Sequence, residues 1–396
     1  MILDFEHPIE ELFTAYPYVV TFATNSTDIW KLDETLQLKH HARLAQVLRY
    51  PGPITPILDD NVDTGLLAIL NTEGNSPEIC VFSIEYGTLL RTLWLYGDLA
   101  PTAPIYAAGR ALIATSTPDK PELFLLDVAG EGWILGTGQL PSDLSHTAAC
   151  LEAVHLHIEE DDEIGIVGAA LAPPGQAEDI TLLLWRGVPT ETAQPAARLL
   201  LPLRMEDVDS VTITCSTSLS PSIFVFNVYE SVSDAINTRF SRMSVVRAVK
   251  IVNNGLELKW ESPADALYGH VSELIHVSAA HAVVAIGTQN AREDAGKDVL
   301  VSFIAVLDDE TGELRRREDI RERILTCRVA HEKLVIVWRD GEVSAINMAE
   351  FVERGLPVRY GGGVETKIRR AGVLNNTVAL LGDDGKVTLK TVVVDT

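Results

Sequence analysis

Long apolar runs are missing from this sequence. None approaches the roughly 18 residues that mark a membrane-spanning helix, so no membrane span is expected. The start, Met1-Ile2-Leu3-Asp4-Phe5-Glu6, lacks the basic and extended apolar regions of a secretory leader. Cysteine is scarce: Cys80, Cys150, Cys215 and Cys327 are the only 4 in 396 residues, and no two form a C-x-x-C. That excludes a disulfide scaffold and a zinc ribbon, and it predicts buried free thiols in a reducing cytosol or nucleus. Positive charge is scarce as well, with 32 Lys and Arg against 56 Asp and Glu, a net −24. Such a surface repels phosphate backbones, so no nucleic-acid partner is expected. The densest basic segment, Arg315-Arg316-Arg317 with Arg321 and Arg323, is interleaved with Glu318, Asp319 and Glu322 and reads as a solvated strand and turn.

Catalytic signatures are missing too. There is no G-x-S-x-G nucleophile elbow and no H-E-x-x-H, because His331-Glu332 is followed by Lys333-Leu334-Val335. Gly361-Gly362-Gly363 has no Lys-Ser/Thr after it and reads as a flexible connection rather than a phosphate loop. Helical periodicity is nearly absent. Met348 to Arg354 could form a turn or two of helix and Ser231 to Thr238 could cap a loop, neither long enough to cross over between parallel strands.

What is present is β texture. Pro53 to Leu58, Leu66 to Leu70, Ile79 to Ile84 and Leu89 to Tyr96 are four short apolar runs separated by turn residues. The quartet recurs from Pro104 to Gly138, from Cys150 to Leu203, from Val211 to Trp260, from Glu273 to Ile320 and from Ile324 to Tyr360. Tyr18 to Ala23, Asp28 to Leu32 and Gln37 to Leu44 make a first unit, in which Ile9 to Phe13 is ambiguous between strand and helical turn. The last, Thr366 to Val373, Thr377 to Leu381 and Val387 to Val394, has three strands, and Ile2-Leu3-Asp4-Phe5 is the candidate fourth. Repeated four-strand units of this length predict an all-β fold, a single β-propeller over residues 1–396 with seven or eight blades and a ring closed by the N-terminal strand.

The hairpin Val306-Leu307-Asp308-Asp309-Glu310-Thr311-Gly312-Glu313-Leu314 resembles the turn of quinoprotein-like and WD40-type repeats. Phe82 to Leu90 and Leu125 to Gly130 are looser copies. Physically this is a strand, an acidic residue that caps the turn, a glycine able to take positive φ, and a strand again. The overall texture is also similar to the divergent propellers of basidiomycete F-box proteins, though no F-box-like helical segment is seen. Gly269-His270 opens a unit in the WD40 manner without a Trp-Asp ending.

Few residues stand out as chemistry. His155, His157 and Glu159 alternate and so share a strand face, but a closed metal site needs a fourth ligand. The run Glu159 to Glu163 lacks the alternating ligands and glycine of a calcium loop. His40-His41, beside Lys39 and Arg43, reads as a surface strand. Trp30, Trp94, Trp133, Trp185, Trp260 and Trp338 fall about one per unit and read as packing residues, with one or two on the rim. No catalytic, cofactor or metal residue is assigned. Long loops are expected at 171–180, 187–197, 229–242 and 288–298. The expectation is a non-enzymatic scaffold or substrate receptor binding protein partners through such loops on one ring face. The alternative is a hydrolase or lyase with carboxylates converging in the central channel.

Overall fold

The computed structural model describes residues 2–3, 8–45, 51–55, 66–71, 78–94, 98–99, 105–107, 110–116, 121–128, 134–144, 150–158, 164–173, 175–188, 194–234, 239–253, 255–263, 266–292, 298–320, 324–330, 333–356, 368–374 and 377–392. These residues form eight antiparallel sheets, most of them meanders of consecutive strands. The chain divides into two compact units: Met1–Gly74, Glu78–Leu93 and Ile320–Thr396 make one, and Asn75–Pro77 with Trp94–Asp319 the other.

In the unit that holds both chain ends, the first sheet is Ile9–Ala15, Tyr18–Ala23, Ser26–Leu32 and Leu38–Arg43. The ambiguous segment at Ile9 is therefore strand. The second sheet is Pro51–Thr55, Leu66–Asn71, Glu78–Ser83 and Leu89–Trp94. The seventh has Ile324–Ala330, Lys333–Trp338 and Val343–Asn347; the fourth strand expected at Val358 to Tyr360 lies outside the described residues. Asn347 then caps the short helix Met348–Arg354, its side chain accepting from Ala349 N at 2.9 Å. The eighth sheet, Ile368–Leu374, Thr377–Gly382 and Val387–Thr391, takes its fourth strand from Ile2–Leu3, with Ile2 opposite Thr388 and Leu3 opposite Val387. Apolar clusters join the seventh sheet to the eighth, the eighth to the first and the first to the second.

The other unit begins with a third sheet, Arg110–Ser116, Glu122–Asp127 and Ile134–Gln139, whose leading strand is split into Asp98–Leu99 and Ile105–Ala107. The fourth is Cys150–Ile158, Ile164–Leu171, Asp179–Arg186 and Ala197–Pro202. The fifth is Ser210–Ser220, Ile223–Asp234, Arg239–Val252 and Gly255–Glu261. The sixth is His270–Val277, Ala282–Arg292, Asp298–Asp308 and Leu314–Ile320. Cores join third to fourth, fourth to fifth and fifth to sixth. Period 2 explains how one strand serves two cores: Phe224, Phe226 and Val228 enter the cluster with the fourth sheet, while Val225 enters the one with the sixth.

The acidic turn behaves as its residues predict. Asp308 Oδ1 accepts from Glu310 N at 2.9 Å and Thr311 N at 2.8 Å, and Gly312 takes φ +73° against the Trp260 indole. Burial alone would raise the Asp308 carboxyl, but Arg315 and the turn amides hold it at about 2. The copy at Phe82 to Leu90 closes the same way, with Gly87 at φ +66°. The loop cap expected at Ser231 to Thr238 is overturned over residues 231–234, which continue the strand Ile223–Asp234; residues 235–238 lie outside the described residues.

Candidate functional site

Among the described residues, seven first strands slip register against the second strand, between Ile9 and Glu11, Pro51 and Ile54, Ala153 and His155, Ile213 and Cys215, Val271 and Glu273, Ile324 and Thr326, and Ile368 and Arg370, and the fifth sheet's first strand slips again between Ser218 and Ser220. A slip leaves two residues facing one and turns backbone groups away from their own ladder. Side chains of the preceding sheet take up some of these groups. Glu152 Oε2 accepts from Ile213 N at 2.7 Å, from the fourth sheet to the fifth. Thr214 Oγ1 donates to Val271 O at 2.6 Å, from the fifth to the sixth. Arg369 Nη2 donates to Ile9 O at 2.8 Å and also to Glu10 O, from the eighth to the first.

Glu152 is the most perturbed of these. It is fully buried, its Oε1 has no hydrogen-bond partner, and desolvation pushes its carboxyl up to about 7 against the bond from Ile213. His155 and His157 do share a face, with their rings parallel at 6.3 Å. His155 stacks on Phe224 at 4.7 Å, with Nδ1 3.5 Å from Ser218 Oγ, and burial with the neighbouring His157 pushes it down to about 4. It is a neutral packing histidine. Glu159 and the run to Glu163 lie outside the described residues, as do His331-Glu332 and Gly361-Gly362-Gly363. Among the described residues, no group of three or more His, Cys, Asp or Glu is arranged to hold a metal ion. The cysteines are free, and burial raises Cys80, Cys150 and Cys215 to about 12 and Cys327 likewise upward, which favours the protonated thiol.

Other expected positions fall as follows. His40 is more than a surface residue: its Nε2 lies 3.0 Å from the buried Asp28, which also accepts from Arg43 Nε at 2.7 Å and Ser26 Oγ at 2.9 Å. Burial would raise Asp28, but these bonds hold it below the usual carboxylate range. The arginine stripe is matched by acids, Arg315 to Asp308, Arg316 to Glu318 at 2.7 Å and Arg317 to Asp319 at 3.0 Å, while Arg321 and Arg323 lie outside the described residues. Trp185, Trp260 and Trp338 are buried; Trp94 is exposed at 61%.

Two of the expected long loops are ribbons of strand. In the fifth sheet the first strand stops at Ser210 opposite Ser231, yet the second and third continue for three more pairs, to Asp234 opposite Arg239. In the sixth sheet the first strand stops at His270 opposite Thr288, and four more pairs follow, to Arg292 opposite Asp298. At about 3.3 Å per residue the ribbons project roughly 10 and 13 Å. In the first and fourth sheets the corresponding hairpins end flush, at Ala23 opposite Ser26 and Leu171 opposite Ile180. Segment 266–270 binds the ribbons' bases, Met243 bridging Tyr268, Gly269 N donating to Arg242 O at 3.3 Å, and Arg317 donating to Ala266 O, Tyr268 O and Gln289 Oε1. Tyr229 and His270 meet edge to face at 4.9 Å, and Tyr268 is 52% exposed.

No family model matches the sequence, and no curated protein matches it. Solved structures do. Sqt1 of Saccharomyces cerevisiae superimposes with a TM-score of 0.63 at 12% identity, over 99% of this chain and 98% of that one. BamB of Moraxella catarrhalis gives 0.53 at 12% identity, over 99% and 100%. Both are β-propellers, and the likeness shows that fold for this chain.

Proposed function

We propose that the eight sheets are the blades of one closed propeller domain spanning residues 1–396, and that this ring is a non-enzymatic scaffold or substrate receptor presenting one face to protein partners. The observation that carries the reading is the pair of ribbons rising from the fifth and sixth sheets, because binding on rigid β scaffolds is commonly held by what projects beyond them. The enzyme alternative needs carboxylates converging where a substrate can reach. Glu152, the raised carboxyl on a first strand among the described residues, is instead sealed between two sheets and engaged with backbone. Buried free thiols suit a reducing intracellular compartment, and no helix among the described residues is long and apolar enough to cross a membrane. Affinity capture from a native extract, followed by quantitative mass spectrometry, is expected to return a protein at near-stoichiometric yield. Repeated capture without one, together with turnover of a glycoside or ester panel, would reverse the assignment.

A further inference from the structure

We infer that the open edge of the second sheet's last strand, Leu89–Trp94, is where two copies of this chain associate, pairing edge to edge about a two-fold axis through Thr92. Among the described residues, no strand lies beyond it in that sheet. An unpaired edge templates the addition of a further strand unless charge, proline or a cover blocks it. The last strands of four other sheets are guarded in this way. Lys39, His40 and Arg43 are exposed on the first sheet, Arg198 and Pro202 on the fourth, Glu257 and Lys259 on the fifth, and Arg315 and Asp319 on the sixth. On the second sheet the exposed positions are instead Leu89, Leu90 and Trp94, the last two at 49% and 61%.

Backbone geometry sets which groups this edge offers. Ser83 N donates to Thr88 O at 2.9 Å where the preceding hairpin closes. Alternation from there turns the backbone groups of Leu90, Thr92 and Trp94 into the sheet and those of Leu89, Arg91 and Leu93 outward. Side chains alternate too: Leu90, Thr92 and Trp94 share one face, while Leu93 is buried on the other. A two-fold axis perpendicular to the sheet pairs residues of equal parity. Centred on Thr92, it sets Leu90 opposite the second copy's Trp94 and Arg91 opposite its Leu93. The outward amides and carbonyls of Arg91 and Leu93 then bond reciprocally. Leu90 and Trp94 meet as closely spaced non-hydrogen-bonded pairs, with no like charges opposed.

Charge and area both fit a second copy. A net −24 drives two copies apart wherever their acids meet, but from Tyr86 to Gly97 the chain has no acid and one cation, Arg91. Two tryptophans, each adding roughly 150 Å², with four leucines and two strand edges stay under about 1,200 Å² in total, the size of a weak, reversible contact. The dimer is therefore a species of high protein concentration.

Sedimentation equilibrium of the full chain, from about 1 to about 500 µM, is expected to show the 43.2 kDa monomer giving way to twice that mass and nothing larger. Leu90→Lys is expected to raise the dissociation constant at least about tenfold. Leu200→Lys, at a leucine exposed to 61% on the guarded last strand of the fourth sheet, is expected to change it less than about twofold. The Leu90→Cys, Trp94→Cys double variant is expected to cross-link into dimers with oxidised glutathione, because opposed residues of such a pair stand at disulfide distance. Each single variant leaves its two thiols about 13 Å apart and is expected to stay uncross-linked. A single-copy mass throughout, growth beyond two copies, wild-type association of Leu90→Lys, equal loss in both lysine variants, or single variants that cross-link as readily as the double each overturns the inference. Binding of a different protein at this edge, lost in Leu90→Lys and without self-association, assigns the edge to another occupant and overturns it as well.

Discussion

The seam between the fourth and fifth sheets and the seam between the eighth and first use the same joint in opposite electrostatic settings. In each, a side chain of one first strand reaches backbone freed by the slip in the next. At the first seam the reaching group is Glu152, sealed from water and flanked by the Phe224 and Phe226 core. At the second it is the exposed Arg369, beside the exposed ion pair of Arg370 and Glu11, and Gly372 lets the two first strands approach until a Cβ there would strike Thr14. Burial makes the one joint strong and sensitive to protonation. Solvent makes the other weak and indifferent to it.

The comparison breaks most visibly at Phe224. Phe224→Ala removes a ring that fills the buried seam and stacks on His155, and is expected to cost about 4 kcal/mol in denaturant unfolding. A loss under 1 kcal/mol would mean that the seam is not packed as described.

Protonation sharpens the contrast. Glu152, moved from 4.5 up to about 7, holds its proton more tightly when folded, so its contribution is full below 4.5 and declines by about 3 kcal/mol as pH rises to 7. His155, moved from 6.5 down to about 4, does the reverse, losing a contribution of about 3 kcal/mol as pH falls from 6.5 to 4. Between pH 4.5 and 6.5 the two slopes oppose each other, and this seam is close to neutral overall. Glu152→Gln should therefore make stability rise more steeply with pH than in wild type, and His155→Phe should make it fall, as read by urea midpoints at half-unit steps. Parallel profiles for all three proteins contradict the pairing.

At the solvent seam, Arg369→Ala is expected to cost about 1 kcal/mol with no new pH dependence below pH 8. Smallest is Arg370→Ala, expected within about 0.5 kcal/mol and vanishing in high salt, checked by thermal melts at two ionic strengths.

Strand quartets were legible because alternation and turn residues are local signals. Leu307 to Leu314 named its own turn, and Ile2 with Leu3 could be matched to a last sheet one strand short. The ribbons were not legible: Ser231, Ser233 and Asp234 look like turn residues, and only the pairing partner across the hairpin makes them strand. Glu152 was missed for a related reason. It lies three residues from His155, an odd spacing that simple alternation sends to opposite faces, and the slip at Val154 restores them to one. The extra residue shifts the phase without leaving any compositional trace.

Ile2 and Leu3 wait for a partner almost the whole length of the chain away. During synthesis the opening residues must stay uncommitted while every intervening hairpin forms, and the eighth sheet is completed only when Val387 and Thr388 arrive. Completion of that sheet thus couples two segments about 385 residues apart, so it stays one strand short until both are present, and Leu3→Pro is expected to weaken the eighth sheet alone.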